Sequence, residues 1–427
     1  MPIEINATDD RCITQFAPVG ALAAYYQQQK VLDPFQSVVP PVKKREYPLP
    51  NQLTQVLLSI FTGCEYLSLV NSVLRPERSL AQLYRIEHFA DASTLSRTLD
   101  RLTQMNLGQL EHAVQAISHR CSQTLQHDWR GFLYLDFDLS GLPCGKQAQG
   151  STKGYFNEKN STGRQLARVS AINYHETLWS DLFPGNRLTM QCLQPAVVGV
   201  ENALDLAKQQ RKRTVYRLDG GAGTDKLLRW LLDRQYHILA KGYSGRRAHA
   251  LAPQVSRWDA YDERSWLGTV ASPVDLGRPV HVLVRKWIQN DQTKHSYYVT
   301  TLSFSSKQAF MDAYNQRGAA EIEQFRADKS GLHLSARRKQ SFQAQRAIIL
   351  LTDLAHNLLA DFRAQALSQS RFTYWGLKRI VRDLLAIPGQ IVFSNSQVKR
   401  IKLSSTHPYA EEMVICLEKY LKHRFGE

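Results

Sequence analysis

The chain has 427 residues, of which 43% are hydrophobic and 22% charged, a composition typical of folded domains with buried cores. Its 54 lysines and arginines exceed its 38 aspartates and glutamates, which gives a formal net charge of +16. A surplus of this size favours a polyanionic partner, either nucleic acid or an anionic membrane surface. No apolar run reaches the roughly 18 residues that a spanning helix needs, and the amino-terminal residues do not resemble a secretory signal. We therefore expect a cytoplasmic protein whose partner is nucleic acid and not a membrane.

Six cysteines are spread over the chain, and none of them forms a Cys-x-x-Cys pair. This spacing excludes a zinc ribbon and argues against a scaffold held by disulfides. We expect mostly buried thiols in a reducing compartment.

The first part of the chain is predicted to be a leader followed by helices. We interpret residues 1–50 as an irregular leader, because the consecutive prolines Pro40 and Pro41 exclude a helix interior. Apolar residues then recur every three to four positions, so residues 51–127 are predicted to form a helical region. Its third helix begins after Asp91, a residue type typical of helix amino-terminal caps.

The pattern changes at Gly131, near the start of a mixed α/β region. Residues 132–139 are apolar at every second position, as expected for a strand packed on a core, and strands and helices then alternate. Strand-rich sequence over about 237–305 predicts an antiparallel sheet inserted into this region. We therefore predict an α/β core over residues 128–340 and a basic helical region over residues 341–427.

Three acidic residues are candidates for a metal site because of their positions in the predicted strands and helices. Asp138 lies near the end of a predicted buried strand, Asp219 ends a second strand before a glycine-rich turn, and Glu321 lies on a later helix. A carboxylate on a buried strand is costly unless it is paired or binds a cation. Three converging carboxylates supply the oxygen ligands that Mg²⁺ prefers and leave positions for a phosphate. Unrelated carboxylates at strand ends are the alternative interpretation of this spacing.

The helix that carries Glu321 has a stripe of polar side chains. Tyr314, Arg317 and Glu321 are separated by three and four residues, so they share one helix face. Lys329 is eight residues beyond Glu321, about 80° further round the helix. Such a stripe can hold both a metal ion and a phosphodiester. A solvated helix with local ion pairs is the alternative.

This helix resembles the Y-R-E-K signature of bacterial insertion-sequence transposases of the DDE, RNase H-like superfamily. The gaps between Tyr314, Arg317 and Glu321 match the signature, whereas the gap from Glu321 to Lys329 contains seven residues and that of the signature six.

Three further segments are similar to motifs of the same family. Asp138-Leu139-Ser140 resembles its Asp-x-Ser/Thr strand motif, and Asp219-Gly220-Gly221 resembles its Asp-Gly-Gly turn. Residues 354–359 resemble a late Leu-Ala-Tyr-Asn-Leu helix, with His356 at the tyrosine position. The resemblance covers roughly residues 50–365, and the combination of the motifs in this order is more specific than each motif alone.

The resemblance implies an RNase H-like core with an inserted antiparallel β subdomain, preceded and followed by helical regions. It also implies a DNA transposase that cleaves the ends of its mobile element and joins them to target DNA by phosphoryl transfer. Asp138, Asp219 and Glu321 would be the catalytic residues and would hold two Mg²⁺ ions, for which Mn²⁺ can substitute. The implied partners are double-stranded DNA with terminal inverted repeats, target DNA and, in the active complex, a second copy of the chain. When bound to DNA the protein would associate with the nucleoid.

DNA contacts are expected at two places. The signature implies that Tyr314, Arg317 and Lys329 bind DNA near the cleaved end. In the helical amino-terminal region, Arg97 and Arg101 are one turn apart and are candidates to bind DNA from the second helix of a helix-turn-helix motif. A bundle helix with solvated arginines is the alternative.

In relatives, the β-rich insertion shields the active site and can stack an aromatic side chain on a flipped base. Trp266, Trp287, Tyr297 and Tyr298 are the candidates here, and packing within the sheet is the alternative for each. Basic clusters at residues 43–45, 246–247, 337–339 and 399–402 are candidates for phosphate contacts.

Two choices stay open at the level of sequence. Asp136 points to the same sheet face as Asp138 and is an alternative first acid, although the following Ser140 favours Asp138. Glu323 would replace Glu321 in a shifted register. An inactive DNA-binding relative, or an RNase H-like nuclease without strand transfer, are the alternative functions.

Overall fold

The computed structural model describes residues 3–8, 13–39, 47–154, 156, 161–395 and 397–422, except for the side chains of Ala7 and of residues 318–326. Internal contacts divide the chain into two compact units. We call Met1–Gln123, Gln147–Gln149 and Phe325–Glu427 the helical unit, and Thr124–Lys146 and Gly150–Gln324 the sheet unit.

The strands are β1 (Glu4–Thr8), β2 (Leu133–Pro143), β3 (Thr152–Lys153), β4 (Thr162–Ala171), β5 (Glu176–Pro184), β6 (Thr214–Leu218), β7 (His237–Lys241), β8 (Asp259–Asp262), β9 (Ser265–Val270), β10 (His281–Gln289), β11 (Gln292–Thr300), β12 (Gly389–Ser394) and β13 (Gln397–Ser404). The helices are α1 (Ala17–Gln28), α2 (Leu49–Phe61), α3 (Arg78–Leu83), α4 (Ala92–Asp100), α5 (Gln104–Cys121), α6 (Thr189–Leu204), α7 (Lys208–Arg211), α8 (Asp225–Asp233), α9 (Gly245–Leu251), α10 (Lys307–Arg326), α11 (Phe342–Phe362), α12 (Leu377–Arg379) and α13 (Ala410–Lys422).

One mixed sheet organises the sheet unit. Its strand order is β3-β4-β2-β6-β7-β11-β10-β9-β8 among the described residues, and β5 also pairs with β4. Strands β2, β6 and β7 are parallel, whereas β4 is antiparallel to both β2 and β5. A parallel set joined to one antiparallel neighbour in this order is the arrangement of an RNase H-like core, so the predicted fold class is confirmed.

The inserted antiparallel strands extend the core sheet. Strands β8 to β11 form successive antiparallel pairs, and β11 pairs with β7 of the core. The sequence places the start of the insertion at about residue 237, but His237–Lys241 pairs in parallel with β6. This strand therefore belongs to the core, since its short, apolar sequence is equally compatible with either position.

The two faces of the sheet bury different side chains. In β2, Leu133, Leu135 and Phe137 point into an apolar core that α6 and α8 also contribute to. The alternate residues, including Asp136 and Asp138, therefore point to the opposite face. Helix α10 covers part of that face, where its buried side chains pack against residues of β10 and β11.

The helical unit is built around α11, which is buried along nearly its whole length and packs against α2, α4 and α5. A small sheet of order β1-β13-β12 completes it. The leader prediction for residues 1–50 is wrong for the described part, which contains β1 and α1. Strand β1 forms because it pairs with β13 at the other end of the chain, a contact that the local sequence does not reveal.

Four of the described cysteines, Cys64, Cys121, Cys192 and Cys416, are buried. None of the described helices combines the length and the apolar character that crossing a lipid bilayer requires.

Candidate active site

Strand pairing brings Asp138 and Asp219 side by side. Phe137 of β2 pairs with Leu218, the last residue of β6, in parallel register. The residues that follow them, Asp138 and Asp219, are therefore neighbours at the end of β6. The Asp138 side chain is 14% exposed. The Oδ1 atom of Asp219 accepts a hydrogen bond of 3.2 Å from the backbone N–H of Ala222, which fixes the carboxylate against its own turn.

The environment of Asp219 disfavours its charged form. Burial raises the pKa of this carboxyl group, the guanidinium of Arg317 opposes that shift, and the carboxylate of Asp138 adds to it. Two acids that interact in this way gain from a nearby cation, because it offsets both the loss of solvation and the mutual repulsion. Their oxygen donors fit a hard divalent ion.

Arg317 lies next to the first of the predicted acids. Its Nη2 atom is 3.5 Å from Asp138 Oδ1 and donates a hydrogen bond of 3.3 Å to the carbonyl oxygen of Phe137. Only 6% of the residue is exposed. Helix α10 therefore places a fixed positive charge directly beside the predicted catalytic carboxylates.

Tyr314 connects α10 to the inserted strands. Its ring packs edge-on against Tyr298 of β11, with ring centroids 4.7 Å apart. Tyr261 of β8 donates a hydrogen bond of 2.7 Å to Asp312 and accepts one of 2.8 Å from Asn315. The insertion thus supports the helix that carries the site.

Glu321 follows Arg317 by one helical turn in α10, but its side chain lies outside the described residues, as does that of Glu323. Among the side chains that the structure does describe, no group of three histidine, cysteine, aspartate and glutamate residues is arranged to hold a metal ion. The described part of the predicted metal site is therefore the pair Asp138 and Asp219.

Asp136, the alternative first acid, has a different partner. Its carboxylate receives two hydrogen bonds from Arg217, at 2.5 Å from Nε and 2.7 Å from Nη2, and both side chains are buried. Burial raises the pKa of Asp136, and the Arg217 guanidinium opposes this shift. Arg217 also donates to the carbonyl oxygen of Ala313 in α10, at 3.3 Å.

Lys329 lies in a π-helical segment, Ala327–Gly331, that follows α10. The backbone N–H of Leu332 donates to the carbonyl oxygen of Ala327, a bond that spans five residues. A π turn holds one residue more than an α turn, so it can absorb the additional residue in the gap between Glu321 and Lys329. In the same segment, the buried Asp328 is 2.6 Å from Nδ1 of His356.

The glycine turn after β6 is closely packed. A Cβ atom on Gly221 would lie 2.7 Å from Oγ1 of Thr189, and one on Gly223 would lie 1.8 Å from the carbonyl oxygen of Lys241. The turn that carries Asp219 therefore depends on glycine at these two positions.

The aromatic candidates of the insertion differ in their surroundings. Tyr297 and Tyr298 are buried. Trp266 lies 4.9 Å from the ammonium group of Lys286, and the ring of Trp287 lies 5.7 Å from the guanidinium of Arg285. Packing within the sheet thus accounts for the two tyrosines.

Most of the remaining predicted DNA contacts lie in the helical unit, whereas Arg246 and Arg247 lie on α9 of the sheet unit. Asp91 caps the amino terminus of α4, where its side chain accepts a hydrogen bond from the backbone N–H of Thr94. Arg97 and Arg101 are both exposed. Of the basic clusters, residues 43–45 lie outside the described residues. Arg337 is buried and donates to Ser59, so it is not positioned to bind a phosphate.

The sequence reasoning did not identify two buried arginines on the acidic face of the sheet. Arg217 is two residues before Asp219, and Arg168 of β4 pairs directly opposite Asp138 and donates a hydrogen bond of 3.0 Å to Ser180. For Arg217 the signal was a charged residue two positions before Asp219 in the short, mostly apolar strand β6.

The fold is similar to that of DDE-type nucleic-acid enzymes. The sequence profile described as "Transposase DDE domain group 1" matches residues 21–424, and the chain belongs to this family. It is therefore a DNA transposase, an enzyme that cleaves and joins DNA, as the sequence predicts. The family generally uses divalent metal ions, and DNA is its partner.

The fold is similar to that of a piggyBac transposase, solved as a synaptic complex with hairpin DNA. The two sequences are 11% identical, the TM-score is 0.52, and the similarity covers 86% of this chain and 80% of that one. At this identity the likeness supports a shared fold. No curated protein has a significantly similar sequence.

Proposed function

We propose that this transposase cleaves the ends of its mobile element and joins the freed 3′ ends to target DNA at a site formed by Asp138, Asp219 and Glu321. The observation that carries the proposal is the parallel register of β2 and β6, which brings the first two acids together. Helix α10 packs on this face of the sheet through Arg317 and also contains Glu321.

The donor set suits two Mg²⁺ ions, with Mn²⁺ as a substitute, because all three residues offer carboxylate oxygens. Bound ions would lower the pKa of an attacking water or 3′-hydroxyl and stabilise the leaving oxygen. The chain itself supplies the orientation: the Ala222 N–H holds Asp219, and the two strands hold both acids in register.

The side chains around the acids have separate tasks in this proposal. Arg317 is positioned to donate to a phosphate next to Asp138, where its planar fork suits two oxygens at once. Tyr314 contacts DNA near the cleaved end, and Lys329 fills the lysine role of the signature. Asp136 is neutralised by Arg217 and supports the site without binding a metal ion.

The DNA partners are an element end with a terminal inverted repeat and a target duplex, and Arg97 and Arg101 contribute to binding the end. Two ends must be held together for insertion, so the active complex contains two copies of the chain. The net charge of +16 supports a polyanionic partner. The reaction takes place in the cytoplasm, on nucleoid DNA.

The decisive experiment incubates the full chain with Mg²⁺, a target plasmid and a DNA fragment that carries the inverted repeats flanking its gene. Asp219→Asn is expected to abolish cleavage and joining while DNA binding in EDTA stays at the wild-type level. Asp205→Asn is the control, because Asp205 is an exposed acid of the sheet unit with φ of 47°, which asparagine also adopts.

The other outcomes contradict the proposal in distinct ways. Specific binding without any cleavage by the wild type indicates an inactive relative. Cleavage without joining indicates a nuclease. Full activity of Asp219→Asn would show that the acids lie elsewhere.

A further inference from the structure

A surface of the helical unit combines exposed cations with aromatic rings. We call it the Tyr374 surface and define it by six residues of the short stretch that contains α12: Arg371, Tyr374, Trp375, Lys378, Arg379 and Arg382. We propose that the Tyr374 surface binds the phosphate backbone of duplex DNA independently of sequence. It is a second DNA contact, distinct in its residues from the carboxylate site and from Arg97 and Arg101.

Aromatic rings hold two of its arginines in place. The guanidinium carbon of Arg379 lies 3.5 Å from the ring centroid of Trp375. That of Arg371 lies 5.2 Å from the ring of Phe372 and 5.0 Å from that of Tyr409. A guanidinium stacked on a ring loses less side-chain entropy when it binds a phosphate, because its orientation is already restricted.

The acids near this surface do not cancel its charge. Asp383 is shared by Arg379, at 3.4 Å, and Arg382, at 2.6 Å. Glu412 pairs with Arg371 at 2.7 Å. Lys378 is exposed and forms no ion pair with any residue that the structure describes. Within the described part of the chain, two acids thus face four cations, which leaves a positive surface with one uncompensated lysine.

Tyr374 is the most exposed large side chain of this surface. It is 96% exposed, although its neighbours Phe372 and Leu377 are buried. Tyrosine hydroxyls are common donors to phosphate oxygens, and the ring can pack on a sugar. Tyr374 and Lys378 are therefore the two side chains of this surface best placed to contact a partner, because neither must first break a side-chain hydrogen bond or ion pair with a described residue.

A DNA partner fits this surface better than a second copy of the chain. The protein carries a net charge of +16, so a second copy presents mostly like charge, whereas DNA is the substrate of the family. The proposal rests on the DNA-binding activity of a transposase but not on the three carboxylates. It is therefore tested in EDTA, where a failure of the proposed metal site has no influence.

The experiment measures fluorescence anisotropy of a labelled duplex of arbitrary sequence with the full chain over a series of KCl concentrations. The variants are Lys378→Gln and the double variant Tyr374→Ala/Lys378→Gln. The matched control is Tyr66→Ala/Lys422→Gln, because Tyr66 is 49% exposed, Lys422 is exposed, and both belong to the helical unit. Thermal unfolding checks the fold, which the loss of exposed side chains leaves intact.

Lys378→Gln is expected to weaken binding and to reduce the slope of log Kd against log[KCl] by about one, the signature of one lost phosphate contact. The double variant is expected to weaken binding further, whereas the control variant binds the duplex as wild type does. A duplex with the element end should show the same loss of affinity, since phosphate contacts carry no sequence information. Wild-type Kd and slope for the double variant overturn the proposal. So does unchanged DNA affinity together with a loss of self-association in size-exclusion chromatography, which would make the surface an interface between copies.

Discussion

Arg217 and Asp136 form a bidentate ion pair beneath the predicted catalytic carboxylates. The guanidinium donates at 2.5 Å and 2.7 Å, with 3% and 5% of the two side chains exposed. The pair joins β2 to β6, and the hydrogen bond from Arg217 to the carbonyl oxygen of Ala313 joins α10 to both strands. All three elements that carry the predicted acids are therefore tied together by one arginine.

Asp136→Asn should consequently lower the stability of the protein, whereas Asp138→Asn should abolish its activity. Removal of one partner from a buried ion pair costs about 3–5 kcal/mol of unfolding free energy, because the remaining charge stays buried. We expect this loss for Asp136→Asn, measured by urea denaturation. Asp138→Asn removes a more weakly paired carboxylate that lies next to Asp219, so it should lose far less stability but all metal-dependent cleavage. If Asp138→Asn cleaves DNA and Asp136→Asn is stable but inactive, the two acids have exchanged roles.

Arg317 offers a test of how much its geometry matters beyond its charge. Arg317→Ala should lower kcat by about 10²–10³, as expected for the loss of one donor to a transferring group. Arg317→Lys keeps the positive charge beside Asp138 but loses the planar fork, so its kcat should be intermediate. Arg257→Ala is the control, since Arg257 is an exposed arginine of the same unit. Equal kcat values for the lysine and alanine variants would mean that the charge of Arg317 contributes nothing.

The glycine turn allows a prediction with a built-in control. Gly223→Ala would place Cβ 1.8 Å from the carbonyl oxygen of Lys241, so the backbone must move, whereas the nearest atoms to a Cβ on Gly220 lie 3.7 Å away. We expect Gly223→Ala to lower the unfolding free energy by about 1–3 kcal/mol or more. Gly220→Ala should unfold at the wild-type temperature. Equal thermal unfolding midpoints for the two variants would contradict the packing of this turn.

Local patterns predicted the elements that carry the site. The alternation in β2 predicts that Asp138 shares a face with Asp136, and the three- and four-residue spacing in α10 predicts that Arg317 shares a face with Tyr314. Both assignments depend only on the periods of strands and helices, which a single sequence contains.

Contacts between segments that are far apart in the sequence cannot be predicted from such local patterns. The pairing of Arg217 with Asp136 depends on the register between two strands about eighty residues apart, and the pairing of β1 with β13 spans nearly the whole chain. Neither register leaves a periodic pattern in one sequence. The same reason explains why β7 was assigned to the insertion: an apolar strand does not specify its neighbour.

Glu201 gives a stability test that is independent of the reaction. Its buried carboxylate accepts hydrogen bonds from Arg234, at 3.0 Å from Nε, and from the Tyr236 hydroxyl, at 2.8 Å. Burial opposes ionisation, but the bonds from Arg234 and Tyr236 and the charges of Arg234 and Arg211 outweigh it and lower the pKa of Glu201 below its ordinary value of 4.5. A depressed pKa in the folded state adds stability above the unfolded pKa, and this stability is lost as the pH falls through the folded value.

Glu201→Gln should therefore destabilise the protein most near neutral pH. We expect a lower urea midpoint than wild type at about pH 7 and a smaller difference as the pH falls below the ordinary value of 4.5, because the unfolded chain then binds a proton that folded Glu201 resists. Glu263→Gln, at an exposed position of the same unit, controls for the general effect of removing one negative charge. A difference between wild type and Glu201→Gln that stays constant from neutral to acid pH would show that Glu201 acts through its shape and hydrogen bonds and not through its charge.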